Sequence, residues 1–154
     1  MAKIKSIEAG KEKLLQLNYN SMVMNEYNDC SVRAIAAATG ATYTDAHKAC
    51  AAYGRANRHG MSILGILAAI RLLGYESVDL RAEDMIAQYP AAHKTLKSIT
   101  THHPQRFSKV WENGKTYFFV TKGHIAAVVN GVNYDWSQSR CLKVLQLIEI
   151  KKIN

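Results

Sequence analysis

Asn130-Gly131 separates two runs, His124 to Val129 and Val132 to Trp136, that are rich in β-branched and aromatic residues. An Asn-Gly pair between such runs is the strongest short-range signal of a β-hairpin, because its turn needs positive φ at both central residues. Antiparallel partners step symmetrically from the turn, so Val129 should face Val132, Val128 Asn133, Ala126 Asp135 and His124 Ser137. One face then carries His124, Ala126, Val128 and Asp135. The other carries Ile125, Ala127, Val129, Val132, Tyr134 and Trp136, an apolar set suited to a core. His124 and Asp135 become diagonal neighbours, with Cα atoms roughly 7–8 Å apart, a gap that long polar side chains can close to a hydrogen bond. With only Ala126 and Val128 beside His124, the helix that begins at Cys30 is expected to pack closely on that face, its Ala34, Ala37 and Ala38 offering the small surface such an approach needs.

Helical signals dominate before this hairpin. Ser31 to Thr39 is a small-residue helix, led in by the polar pair Asn28-Asp29 and stopped by Gly40. Thr44-Asp45 opens a second helix that runs to about Tyr53. Ser62 caps a third that ends at Gly74. Lys11 to Leu17 has weak helical character, and Asn18-Tyr19-Asn20-Ser21 reads as loop. Tyr75 to Leu80 alternates as a strand, and Ala82 to Tyr89 and Thr95 to Thr101 read as short helices. Thr116 to Thr121 and Leu142 to Ile150 add strands to the hairpin. The composition thus changes once, from helix to strand. That predicts an α+β fold: an N-terminal helical half, carrying the helix at Cys30, packed on a C-terminal antiparallel sheet.

With 154 residues and 48% hydrophobic side chains, the chain can bury a core and is expected to form a single domain over 1–154. Three cysteines without a C-x-x-C pair suggest neither a disulfide framework nor a zinc knuckle. No secretory signal opens the sequence, and the longest apolar stretch, Ile63 to Leu73, is broken by Gly65 and Arg71. These features predict a cytoplasmic protein with no membrane partner. The formal charge of +8 suits an acidic partner, and part of it is local: six Lys or Arg lie between His93 and His124 against the one acid Glu112. No aromatic residues alternate with these charges as stacking platforms, so nucleic acid is not the expected partner.

Chemistry concentrates at Cys30. A thiolate is the reactive form of cysteine, and a helix N-terminus offers unpaired N–H groups and a positive dipole end. Far downstream, Gly123-His124 and Tyr134-Asp135 supply a base and an acid to orient it. Cys50 and Cys141 lack a polar lead-in and a partner, and read as small buried hydrophobes. His102-His103 diverge as loop neighbours with no Cys or carboxylate cluster, so no metal is expected. His47 and His59 read as surface or helix-end residues. Gly54-Arg55 and Arg58-His59-Gly60 read as a helix connection that could also line a groove, and Trp136 as a core residue or a shield for the acid.

The order Cys30, His124, Asp135, with the cysteine at a helix start and the other two on a sheet, resembles the papain-like cysteine peptidases. Asn28-Asp29-Cys30 before an Ala/Ile-rich helix, and Gly123-His124 before a hydrophobic run, a Gly turn and Tyr134-Asp135, look most like the bacteriocin-processing peptidases that cut after a double glycine, and like small phage-encoded domains of that type. The resemblance spans about Asn25 to Trp136. It implies a papain-like fold and a cytoplasmic cysteine peptidase or isopeptidase, in the host cytoplasm if phage-encoded, that needs no cofactor, with Cys30 as nucleophile, His124 as general base, Asp135 as orienting acid, and a protein or peptide substrate. Those peptidases carry a glutamine six residues before the cysteine, where Met24 stands here. Asn25 or Asn28, and more distantly Gln16, are therefore the expected oxyanion donors beside the Cys30 N–H. The missing glutamine leaves room for an inactive papain-fold module that binds or inhibits a partner through a basic surface. An Asp-Cys-Ser start and a Gly-His strand also resemble NlpC-type cell-wall peptidases.

Overall fold

The computed structural model describes residues 2–80, 114–134 and 146–154, of which positions 2–10, 121 and 133 are described by their backbone alone. Four described helices, α1 (Ala2–Val23), α2 (Cys30–Thr39), α3 (Tyr43–Ala52) and α4 (Ile63–Leu72), precede all five described strands in sequence. The strands are β1 (Tyr75–Leu80), β2 (Thr116–Thr121), β3 (His124–Val129), β4 (Val132–Asn133) and β5 (Gln146–Lys152). They form one sheet in the order β1-β5-β2-β3-β4, with every neighbouring pair antiparallel. The fold is α+β, with the helices ahead of the sheet.

The Asn-Gly turn closes as expected. Asn130 and Gly131 have φ of 47° and 81°, the double positive φ of a hairpin turn. Val129 pairs with Val132 and Val128 with Asn133. The Tyr134 N–H donates to Ala127 O at 2.9 Å and carries the pairing one step further. The expected partners Asp135, Trp136 and Ser137 lie outside the described residues, as do Cys141, His102, His103, the two short helices expected at 82–89 and 95–101, and most of the basic stretch.

Three boundaries differ from expectation. α1 runs through the supposed loop at Asn18 to Ser21, because tertiary anchors override weak local preference: Leu17 and Ser21, one turn apart, are both buried, and Asn18 accepts a hydrogen bond from Arg33. α3 starts one residue earlier than Thr44-Asp45 suggested, at Tyr43, since Thr42 Oγ1 accepts the Asp45 N–H at 3.1 Å and so caps the helix. β5 extends to Lys152, held by the pairing of Lys152 with Tyr75. α4 is capped as expected, with Ser62 Oγ accepting the Gly65 N–H at 3.2 Å.

The helices cover the sheet face that bears Phe118, Ile125, Ala127, Ile148 and Ile150. This corrects the expectation that the helix of Cys30 lies on the His124, Ala126 and Val128 face. Helix α2 is built of small side chains, with Ala34, Ala36, Ala37 and Ala38 all buried. A surface of that kind accommodates the larger Ile125 and Phe118 better than it would fill a gap against another alanine. Ala126, Val128, Tyr117, Phe119 and Leu147 on the opposite face are buried as well.

Candidate active site

Cys30 is the first residue of α2 and is partly exposed. Asp29 occupies the N-cap position, yet its side chain makes no capping hydrogen bond. Its buried carboxylate is drawn aside instead. Arg33 Nε donates to both oxygens at 3.2 Å, and the Tyr43 hydroxyl donates to one at 2.7 Å. The first intrahelical bond runs from the Arg33 N–H to Asp29 O at 3.0 Å. The N–H groups of Cys30, Ser31 and Val32 therefore belong to the set that a helix N-terminus leaves without intrahelical partners.

A second set of contacts fixes the loop that leads into Cys30. Asn25 and Asn28 both have left-handed φ, 53° and 54°, a conformation asparagine tolerates better than most residues. The Glu26 carboxylate between them meets Arg55 Nη1 at 2.8 Å, Arg55 Nη2 at 3.2 Å, His47 Nε2 at 2.5 Å and the Arg58 N–H at 2.7 Å. Glu26 and Arg55 have side chains only 1% exposed. Burial by itself would raise the Glu26 pKa, but hydrogen bonds from Arg55, His47 and the Arg58 N–H, with the Arg55 charge, outweigh it and hold the carboxyl at about 2. Arg58 Nε donates to Asn25 O at 3.0 Å, and Asn28 Nδ2 donates to Arg58 O at 3.3 Å. The basic turn after α3 is thus a clamp on the loop before the cysteine.

His47 is accordingly not a surface residue, which corrects the expectation for it; a carboxylate one helix away in space has no signature in the local pattern. His59 is exposed, as expected. Of the two expected oxyanion donors, Asn28 gives its side-chain amide to Arg58 O, and neither Asn25 nor Asn28 lines the cavity described next. Gln16, on an exposed side of α1, does not line it either.

A cavity of about 520 Å³ opens beside the tip of α2. Cys30 and Ser31 line it from the helix, Gly60 to Ile63 and Ile66 from α4 and the segment before it, and Val120, Gly123, His124 and Ile125 from the sheet. The turn that joins β2 to β3, with Gly123 at φ 68°, lies at the same end of the sheet. His124 and Ile125 both border the cavity, at the end of β3 next to this turn. Cys30 and His124, far apart in the chain, are brought to this one space. Asp135 lies outside the described residues.

Cys50 lies within the helical core, where burial pushes its thiol up to about 11. Among the described residues no cluster of His, Cys, Asp or Glu could hold a metal ion, and no helix is long and apolar enough to cross a membrane. What the sequence did not reveal is the Glu26–Arg55–His47 cluster; the only available signal was an acid set among polar loop residues before Cys30. Comparison of the chain with protein-family models, with curated proteins and with solved structures finds no match.

Proposed function

We propose that the chain is a papain-like cysteine peptidase or isopeptidase acting on a protein or peptide substrate. The observation that supports this most directly is that Cys30, at a helix tip, and His124, at the end of a strand, border the same cavity. In this reading a ring nitrogen of His124 accepts the Cys30 thiol proton, and the sulfur attacks the substrate carbonyl carbon. The tetrahedral adduct collapses with cleavage of the C–N bond, and His124 passes the proton to the departing amine. Water, deprotonated by His124, then hydrolyses the thioester and frees the acid and Cys30. Asp135 holds the imidazole in the productive tautomer. Backbone N–H groups at the tip of α2 take the oxyanion role that the sequence had assigned to Asn25 or Asn28.

Labelling of the folded chain with iodoacetamide, read residue by residue by mass spectrometry, tests this. Selective modification of Cys30 that is lost in His124→Ala and slowed in Asp135→Asn supports the reading. Equal labelling of Cys30, Cys50 and Cys141, or labelling of Cys30 indifferent to His124, overturns it. A second reading draws on Met24, an apolar residue in the position of the family's oxyanion glutamine: a papain-fold module that binds a partner without turnover. It is distinguished by an alkylation-competent Cys30 in a chain that releases no amine from any peptide or isopeptide library.

A further inference from the structure

Five aliphatic side chains line the cavity beside Cys30, together with Ser31 and Ser62. Met61, Ile63 and Ile66 form one side, and Val120 and Ile125 the other. Apart from Cys30 and His124, no described residue lining it has an ionisable side chain. A charged substrate group packed against these aliphatic side chains, rather than against the tip of α2, gives up its hydration without a compensating partner. The volume falls in the range of about 300–1,000 Å³ typical of pockets that hold small ligands.

Met61 has an unusual seat. A Cβ built on Gly65 would lie 2.9 Å from the Met61 terminal methyl, 3.4 Å from Ser62 Oγ and 3.5 Å from Tyr53 O. The bare backbone of α4 at Gly65 therefore accommodates the end of the Met61 side chain. Methionine is unbranched, with three rotatable bonds, so this wall is the adjustable one.

We infer that the cavity receives an uncharged aliphatic side chain of the substrate next to the bond that Cys30 attacks, and that Met61, seated over Gly65, sets the length it accepts. The inference rests on the reading of Cys30 as nucleophile. It narrows the protein or peptide substrate to one carrying Leu, Ile, Val or Met at this position.

The test uses the full chain and a series of N-alkyl chloroacetamides from methyl to octyl, with an N-carboxypropyl analogue as the charged control. The rate of Cys30 alkylation is followed by mass spectrometry and normalised to each probe's rate with glutathione. The expected rate rises by up to about fourfold per methylene until the pocket is filled, and the butyl probe outpaces the carboxypropyl probe at least tenfold. Met61→Ala should move the optimum to a longer chain, Met61→Leu should preserve the parent preference, and Gly65→Ala should alter the preference. A rate independent of chain length, a faster carboxypropyl probe, or a preference unmoved in Met61→Ala overturns the inference. Should the methyl probe label Cys30 in a His124-dependent way while chain length has no effect, the pocket assignment fails and the proposed reaction stands. If Cys30 is inert to every probe, both fail.

Discussion

Glu26→Gln isolates the clamp that holds the loop before Cys30. Glutamine keeps the shape and one acceptor oxygen for the Arg58 N–H, but leaves Arg55, 1% exposed, without its counter-charge. Removing one partner of a buried ion pair costs roughly 3–5 kcal/mol. The titration of Glu26 gives a second route to the same quantity. Its pKa falls from 4.5 to about 2 on folding, and at about 1.36 kcal/mol per unit this amounts to roughly 3 kcal/mol. Because the folded pKa lies below the unfolded one, this stability is fully present above about pH 5 and is lost as pH falls from 4.5 towards 2. Urea unfolding at pH 7 should therefore place Glu26→Gln about 3 kcal/mol below the parent, with the gap narrowing steadily as the buffer is taken from pH 5 to pH 3. Adding Arg55→Met to Glu26→Gln should recover part of the loss, since the orphaned charge goes with it. A gap under 1 kcal/mol at pH 7, or one that persists unchanged at pH 3, would refute the assignment of Glu26 as a buried, ionised clamp.

Three further outcomes follow from the same contacts. Tyr43→Phe removes the 2.7 Å hydrogen bond to the buried Asp29 carboxylate and should cost about 1.5–3 kcal/mol in chemical denaturation, the range for a bond to a charged group. Cys50, with its thiol raised to about 11 by burial, should resist iodoacetamide at pH 8 in the native protein and react within minutes in concentrated urea; rapid native labelling would contradict its place in the core. Thr42→Ala deletes the side-chain acceptor of the Asp45 N–H and should lower stability by about 0.5–2 kcal/mol, measured by the same urea titration.

The C-terminal hairpin was legible because a period of two and an Asn-Gly turn leave only one register that keeps each face consistent, and Val128 does meet Asn133. The start of α2 was legible from Asn28-Asp29 ahead of a run of alanines, although the reason given for it was wrong: Asp29 serves Arg33 and Tyr43 rather than capping the helix. Periodicity could not say which face of the ribbon the helices would cover, because both faces are apolar enough to bury. It also missed the last turns of α1, whose helical state depends on Leu17, Ser21 and Asn18 meeting other elements. The Glu26–Arg55–His47 cluster joins residues 21 and 29 positions apart, a relation set by tertiary docking that no local pattern encodes.

The sheet order has a consequence for how the chain assembles. Strand β5 lies between β1 and β2 and pairs with both, so the two halves of the sheet have no direct ladder until residues 146–152 arrive. During synthesis, β1 and the β2–β3 ribbon wait with open edges while the rest of the chain is made, and closing them requires contacts of long sequence separation, which slow folding. A nascent chain stalled short of Gln146 should thus be protease-sensitive and adhesive, and a peptide of the β5 sequence supplied in trans should rescue it.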